Sequence, residues 1–130
     1  LIRKAIEYSK FKSYSIFGTG EETRSFCYIS DVIDSIILSI KKMNGSRRLI
    51  GPLNIGSEER IRIIDLARKI IEISGKDIDL KTKFAPRPFT MSQTLNCSLA
   101  RSTLSGWKPR VSLDNGLMKM YSHIEKRLEI

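Results

Sequence analysis

Gly18, Gly20 and Arg24 lie close together in the stretch Phe17-Gly18-Thr19-Gly20-Glu21-Glu22-Thr23-Arg24-Ser25-Phe26. Glycine lets backbone approach a ligand, and the planar fork of arginine matches the oxygens of a phosphate. A turn of this composition is suited to gripping a phosphate group. A second arginine, Arg87, stands between Pro86 and Pro88 in a stretch with no helical period. Taken singly, each arginine also has an everyday role. Arg24 would pair with Glu21 or Glu22 at the surface, and Arg87 would be a solvated loop cation.

Other candidate chemistry is weaker. Gly18-Thr19-Gly20 resembles the first half of a dinucleotide loop, but the third glycine is missing. The stretch also leads into β-formers rather than opening a helix, so it reads as a β-hairpin turn. Tyr8-Ser-Lys-Phe-Lys12 has the spacing that sets a lysine one helical turn from a phenol, where it lowers the phenol pKa. It straddles an expected helix end with no cofactor loop before it, and five-residue matches are common in a lysine-rich chain. No catalytic residue is assigned. His123 is the one histidine and has no cysteine or acidic cluster near it in sequence, so no metal site is expected. Cys27 and Cys97 form no CxxC pattern and read as free thiols in a reducing compartment.

The elements that would carry these residues follow from periodicity. Residues 1–10 read as a helix end, with Ile2 and Ile6 on its apolar face. Ser13 to Phe17 alternates as a strand, and Ser25 to Ile29 is a second one across the glycine turn. Asp31 caps a helix to about Met43 whose apolar stripe is Ile33, Ile36, Ile37 and Ile40. Leu53 to Ile55 reads as a short strand. A helix from Ile63 to Ser74 carries Ile63, Ala67, Ile70, Ile71 and Ser74 on one side and ends at Gly75. Arg62 is a poor cap for it, so packing must hold its start. Asp77 to Phe84 is a strand and Ala85 to Leu95 a loop; Ser98 to Leu104 is a short helix. Ser112 caps a last helix with Leu117, Met120, Tyr121, Ile124 and Leu128 as its stripe. The order is that of a mixed α/β domain.

The chain has 130 residues, 41% of them hydrophobic and 28% charged, as expected of one globular domain. No apolar run reaches the length of a membrane span, and no signal peptide is read. The chain begins inside an amphipathic pattern without Met, as a fragment of a longer protein would. Its formal charge of +9 favours an anionic partner. A nucleotide diphosphate, a nucleic acid and an acidic neighbouring domain all qualify on charge alone.

Several segments recur together in one order. They are Gly18 to Asp31, Gly51-Pro-Leu-Asn54-Ile-Gly56, Ile64-Asp-Leu-Ala67, Arg87-Pro88, Ser98-Leu-Ala100-Arg101, Gly106-Trp107-Lys-Pro109 and Val111-Ser-Leu-Asp-Asn-Gly116-Leu117. The set resembles the C-terminal part of an extended short-chain dehydrogenase/reductase of the NAD-dependent nucleotide-sugar epimerase/dehydratase family. It is nearest in look to UDP-glucuronate decarboxylases. The resemblance implies a small mixed α/β substrate-binding domain, residues 1–130, that normally completes a Rossmann-type domain. NAD and the catalytic Tyr-Lys pair would belong to that absent N-terminal domain, and residues 31–56 would pack with it or join it. Alone, the fragment would then expose apolar surface. The ligand implied is a UDP-, GDP- or dTDP-linked sugar. Arg24 and Arg87 would contact its diphosphate, and the backbone of Ser15 and Phe17 its base. A cytoplasmic homodimer is the implied setting.

Three departures stand out. Phe89-Thr90 follows Arg87-Pro88 in place of Gly-Asp, Asn96 replaces an acid, and Ser105 is inserted before Gly106-Trp107. Two alternatives remain. One is a small basic nucleic-acid-binding domain, disfavoured because Lys41-Lys42, Arg47-Arg48, Lys81 and Lys83 lack interleaved aromatics. The other is a structural or dimerisation module.

Overall fold

A computed structural model describes residues 1–45, 51–85 and 95–128. The chain forms α1 (Ile2–Ile6), α2 (Tyr8–Phe11), β1 (Tyr14–Phe17), β2 (Thr23–Arg24), α3 (Ile29–Asn44), β3 (Ile61–Arg62), α4 (Ile63–Ser74), β4 (Leu80–Lys83), α5 (Ser98–Thr103) and α6 (Leu113–Leu128). It divides into two units: residues 1–24, 61–93 and 114–130, and residues 25–60 and 94–113. The mixed α/β class expected from the sequence is the class observed.

In the first unit β1 and β4 run parallel, with Tyr14 opposite Leu80 and Phe17 opposite Lys83. Parallel neighbours need a crossover, and α4 lies between them in the chain. The core is built from Ala5, Tyr14, Ile16, Leu66, Ala67, Ile70 and Ile78, with Leu117 and Tyr121 also buried. Tyr14 donates its hydroxyl hydrogen to the Ala67 carbonyl at 3.2 Å, so a buried phenol is satisfied. The Lys76 ammonium donates to the carbonyls of Ala5 and Ile6, closing the C-terminal end of α1. Gly75 ends α4 in the left-handed region (φ 61°), as the sequence indicates.

The start of the chain departs from the single helix expected: two short helices meet at Glu7. The hairpin expectation is also overturned. β1 pairs with β4, whereas β2 pairs antiparallel with β3, Thr23 opposite Arg62 and Arg24 opposite Ile61. The second strand covers Thr23–Arg24 rather than Ser25 to Ile29. Gly18 and Gly20 have φ of 77° and 80°, and the turn they make reaches α4. There the Gly20 carbonyl accepts the Ile64 N–H at 3.0 Å, and the Glu22 carbonyl accepts the Ile63 N–H at 3.0 Å. The first turn of α4 is thus capped by backbone, which the poor capping residue Arg62 did not foretell.

Gly20 has no room for a side chain. An added Cβ would lie 2.6 Å from Ile16 Cδ1 and 2.8 Å from Ile64 Cβ. Gly75 shares the positive φ but has nothing within 4 Å. Gly20→Ala is therefore expected to cost more than Gly75→Ala, by about 1–3 kcal/mol of overpacking. Urea unfolding of the two variants checks this; equal midpoints would contradict it.

In the second unit Ala100, Leu104 and Trp107 form a buried cluster against Leu38, Leu53 and Ile55. Residues 53–55 are not a strand; they pack as an irregular segment. Asp31 is not the cap of α3, which starts at Ile29 after Tyr28. Asp31 is instead 2% exposed in the first turn. Its carbonyl accepts the Trp107 Nε1–H at 3.1 Å, and its carboxylate accepts the Val111 N–H at 3.1 Å. Glu58 accepts the Cys97 N–H at 2.8 Å and pairs with Arg101 at 2.9 Å, which holds its carboxyl below the usual range.

The orientation of α3 runs against its pattern. Asp31 and Ser35 are buried, and Leu38 joins the cluster. Ile33, Ile36, Ile37 and Ile40, the apolar stripe of the helix, are exposed, Ile36 by 53%. Asp31, Ser35 and Leu38 lie inward and the isoleucines outward.

Candidate functional site

Three of the four expected binding residues, Ser15, Phe17 and Arg24, line one cleft of about 390 Å³ in the first unit. Lys4, Ile16, Glu22 and Ile63 complete most of its wall. Arg87, the fourth, falls outside the described residues, as do Arg47 and Arg48.

The arrangement follows from backbone geometry. Successive residues of a strand direct their N–H and C=O groups to opposite edges. The Gly18 N–H donates to the Lys83 carbonyl at 2.9 Å, so Tyr14 and Ile16 also present their backbone groups to β4. Ser15 and Phe17 present theirs to the other edge. No strand pairs with that edge among the described residues. It offers a row of backbone donors and acceptors, the kind of edge that an extended ligand or a planar base can read. The Ser15 residue is buried at 5% exposure, whereas the Phe17 ring is 54% exposed at the end of the strand.

Arg24 is held in β2, and its Nη1 donates to the Thr23 carbonyl at 2.7 Å. The surface pairing expected of Glu21 is taken by Arg62 at 3.0 Å. Arg62 also pairs with Asp65 at 2.6 Å. Lys4 projects from α1, and its ammonium donates to the Ser15 carbonyl at 3.0 Å. Formally the cleft carries two cations, Lys4 and Arg24, against the buried carboxylate of Glu22. That excess suits an anionic ligand. Sequence reasoning passed over Lys4. Nothing distinguishes it among 23 lysines and arginines until the fold sets α1 beside β1.

The glycine turn does not fit a dinucleotide. Its carbonyls close the first turn of α4, where a dinucleotide loop would leave helix N–H groups open to a pyrophosphate. The Tyr8 hydroxyl oxygen accepts the Asp79 N–H at 3.2 Å, and the Lys12 ammonium lies over the Tyr8 ring, 5.8 Å from its centre. A second cavity of about 340 Å³ in the other unit is lined by Glu58, Arg101 and Arg110 among others, and none of the expected site residues among those described lies there. No helix among the described residues is long and apolar enough to cross a membrane.

No protein-family model matches the chain. Individual proteins do. UDP-glucuronic acid decarboxylase 3 of Arabidopsis thaliana is 32% identical over 85% of this chain and 31% of its own length. GDP-L-fucose synthase of Sinorhizobium fredii is 34% identical over 93% of this chain and 37% of its own. Among solved structures, UDP-glucuronic acid 4-epimerase of Bacillus cereus, in complex with UDP-glucuronic acid and NAD, has a TM-score of 0.79 at 28% identity. It covers 98% of this chain and 40% of that one. UDP-glucose 4-epimerase of Thermotoga maritima, solved with UDP-glucose, also has a TM-score of 0.79, at 25% identity over 95% of this chain and 38% of that one. The chain thus spans about a third of the curated relatives it matches.

The class defined by the fold is a mixed α/β domain. The chain belongs to the extended short-chain dehydrogenase/reductases, in the NAD-dependent epimerase/dehydratase group, and corresponds to their C-terminal part.

Proposed function

We propose that this chain is the nucleotide-sugar-binding portion of an NAD-dependent epimerase, dehydratase or decarboxylase, and that it is not catalytic by itself. The observation that carries this reading is the cleft in which Ser15, Phe17 and Arg24 meet. The base lies along the open edge of β1, and the Arg24 guanidinium takes the diphosphate through charge-assisted hydrogen bonds. Arg87 is the second diphosphate contact in this reading. NAD is held by a Rossmann domain carried outside these residues. The exposed isoleucine face of α3 is the surface that packs against that domain, consistent with the expectation for residues 31–56. The protein works as a cytoplasmic homodimer.

Titration of the full-length protein with UDP, beside a salt series with single-stranded RNA, tests the reading. Saturable UDP binding with weak RNA retention is expected. RNA binding with a steep salt slope and no UDP binding would instead favour a nucleic-acid-binding domain.

A further inference from the structure

Glu22 is the one acidic residue among those described that line the cleft beside Arg24, and it is buried at 7% exposure. Among the described residues no hydrogen bond or ion pair meets its side chain. The charged groups that face it are engaged elsewhere. Lys4 of α1 donates to the Ser15 carbonyl at 3.0 Å, and Arg24 of β2 to the Thr23 carbonyl at 2.7 Å. The Leu1 amino group is pushed down by burial and by Lys4. Arg62 of β3 pairs with Glu21 and Asp65. β1 and α4 set no charged side chain on the cleft. A buried carboxylate without a partner is costly, and this one stands where an anionic ligand would enter.

An anion arriving beside Arg24 competes with Glu22 for the same two cations. Like charges brought together in a desolvated site are relieved when one of them takes up a proton. A diphosphate esterified at both ends is a far stronger acid than a carboxyl, so the carboxyl is the group that takes it. Its new O–H then donates to a phosphate oxygen, and a repulsion becomes a hydrogen bond. We propose that Glu22 makes diphosphate binding in this cleft proton-linked, its carboxylate gaining one proton from solvent as the ligand enters. No other bond changes. The assignment rests on the nucleotide-binding reading above and deepens it.

The test is titration calorimetry of full-length wild type, Glu22→Gln and Glu22→Met with UDP-glucose, whose phosphates hold a fixed charge. Paired buffers of different ionisation heat count the protons taken up. Wild type is expected to gain close to one proton per ligand near neutrality. Its affinity is expected to fall by up to about tenfold per pH unit between about pH 6 and about pH 8. The neutral variants are expected to take up none and to bind about tenfold tighter than wild type at about pH 8, the gap narrowing as the pH falls. Either variant serves, provided its circular dichroism matches wild type. UDP-glucose bound with no proton gained, or with a count the variants share, would overturn this inference and leave the nucleotide-binding reading standing. UDP bound while UDP-glucose is refused would likewise overturn it alone. Wild type that binds neither would end both.

Discussion

Arg24→Ala is expected to weaken UDP binding by about ten- to a hundredfold while leaving NAD affinity unchanged. A hydrogen bond between charged partners is worth about 1.5–3 kcal/mol, which sets that range. The side chain is held in place. β2 is pinned to β3 opposite Ile61, and one guanidinium nitrogen is anchored on the Thr23 carbonyl. An anchored fork loses little further freedom on meeting a ligand. Arg24→Lys keeps the charge without the fork and is expected to fall between wild type and alanine. Matching circular dichroism spectra separate a lost contact from a lost fold. UDP affinity unchanged in a folded Arg24→Ala protein would remove Arg24 from the binding account.

The second large effect is one of stability. Trp107 is 6% exposed, packs with Ala100 and Leu104, and ties its indole N–H to the Asp31 carbonyl. Trp107→Ala opens a cavity in a small cluster with few neighbours to collapse into it. The expected loss is about 3–5 kcal/mol, a large share of the stability of a domain this size. Trp107→Phe keeps a ring but loses the indole bond to the Asp31 carbonyl, an oxygen that keeps its place in the α3 ladder, and about 0.5–1.5 kcal/mol is expected. Urea unfolding measures both. A loss under about 1 kcal/mol for the alanine variant would mean that the cluster does not hold this unit together.

Local signals carried the elements well. The apolar face and terminal glycine of α4 gave its span, and the alternation of Ser13 to Phe17 gave β1. Ser15, Phe17 and Arg24 line one cleft because they flank one turn; Arg24 stands out by residue type, whereas Ser15 and Phe17 enter only through the family resemblance. Pairing was not legible. Alternation names a strand but not its partner, and both β1 and β2 chose partners far along the chain over each other. Nor was the face of α3. The isoleucine stripe is a sound signal of burial, yet this unit covers the side with Asp31 and Ser35 because Trp107 and Val111 bond there. The start of α4 misled for a related reason: its cap is supplied by carbonyls of the glycine turn, and no side-chain pattern records that.

The account turns on where the nucleotide lies. The most direct measurement is a crystal structure of the full-length protein grown with UDP. The expected result is the uracil against the outer edge of β1 at Ser15 and Phe17, with the diphosphate within hydrogen-bond distance of Arg24. UDP seated in the cavity beside Arg101 and Arg110, or anywhere that leaves Arg24 without a phosphate contact, would contradict it.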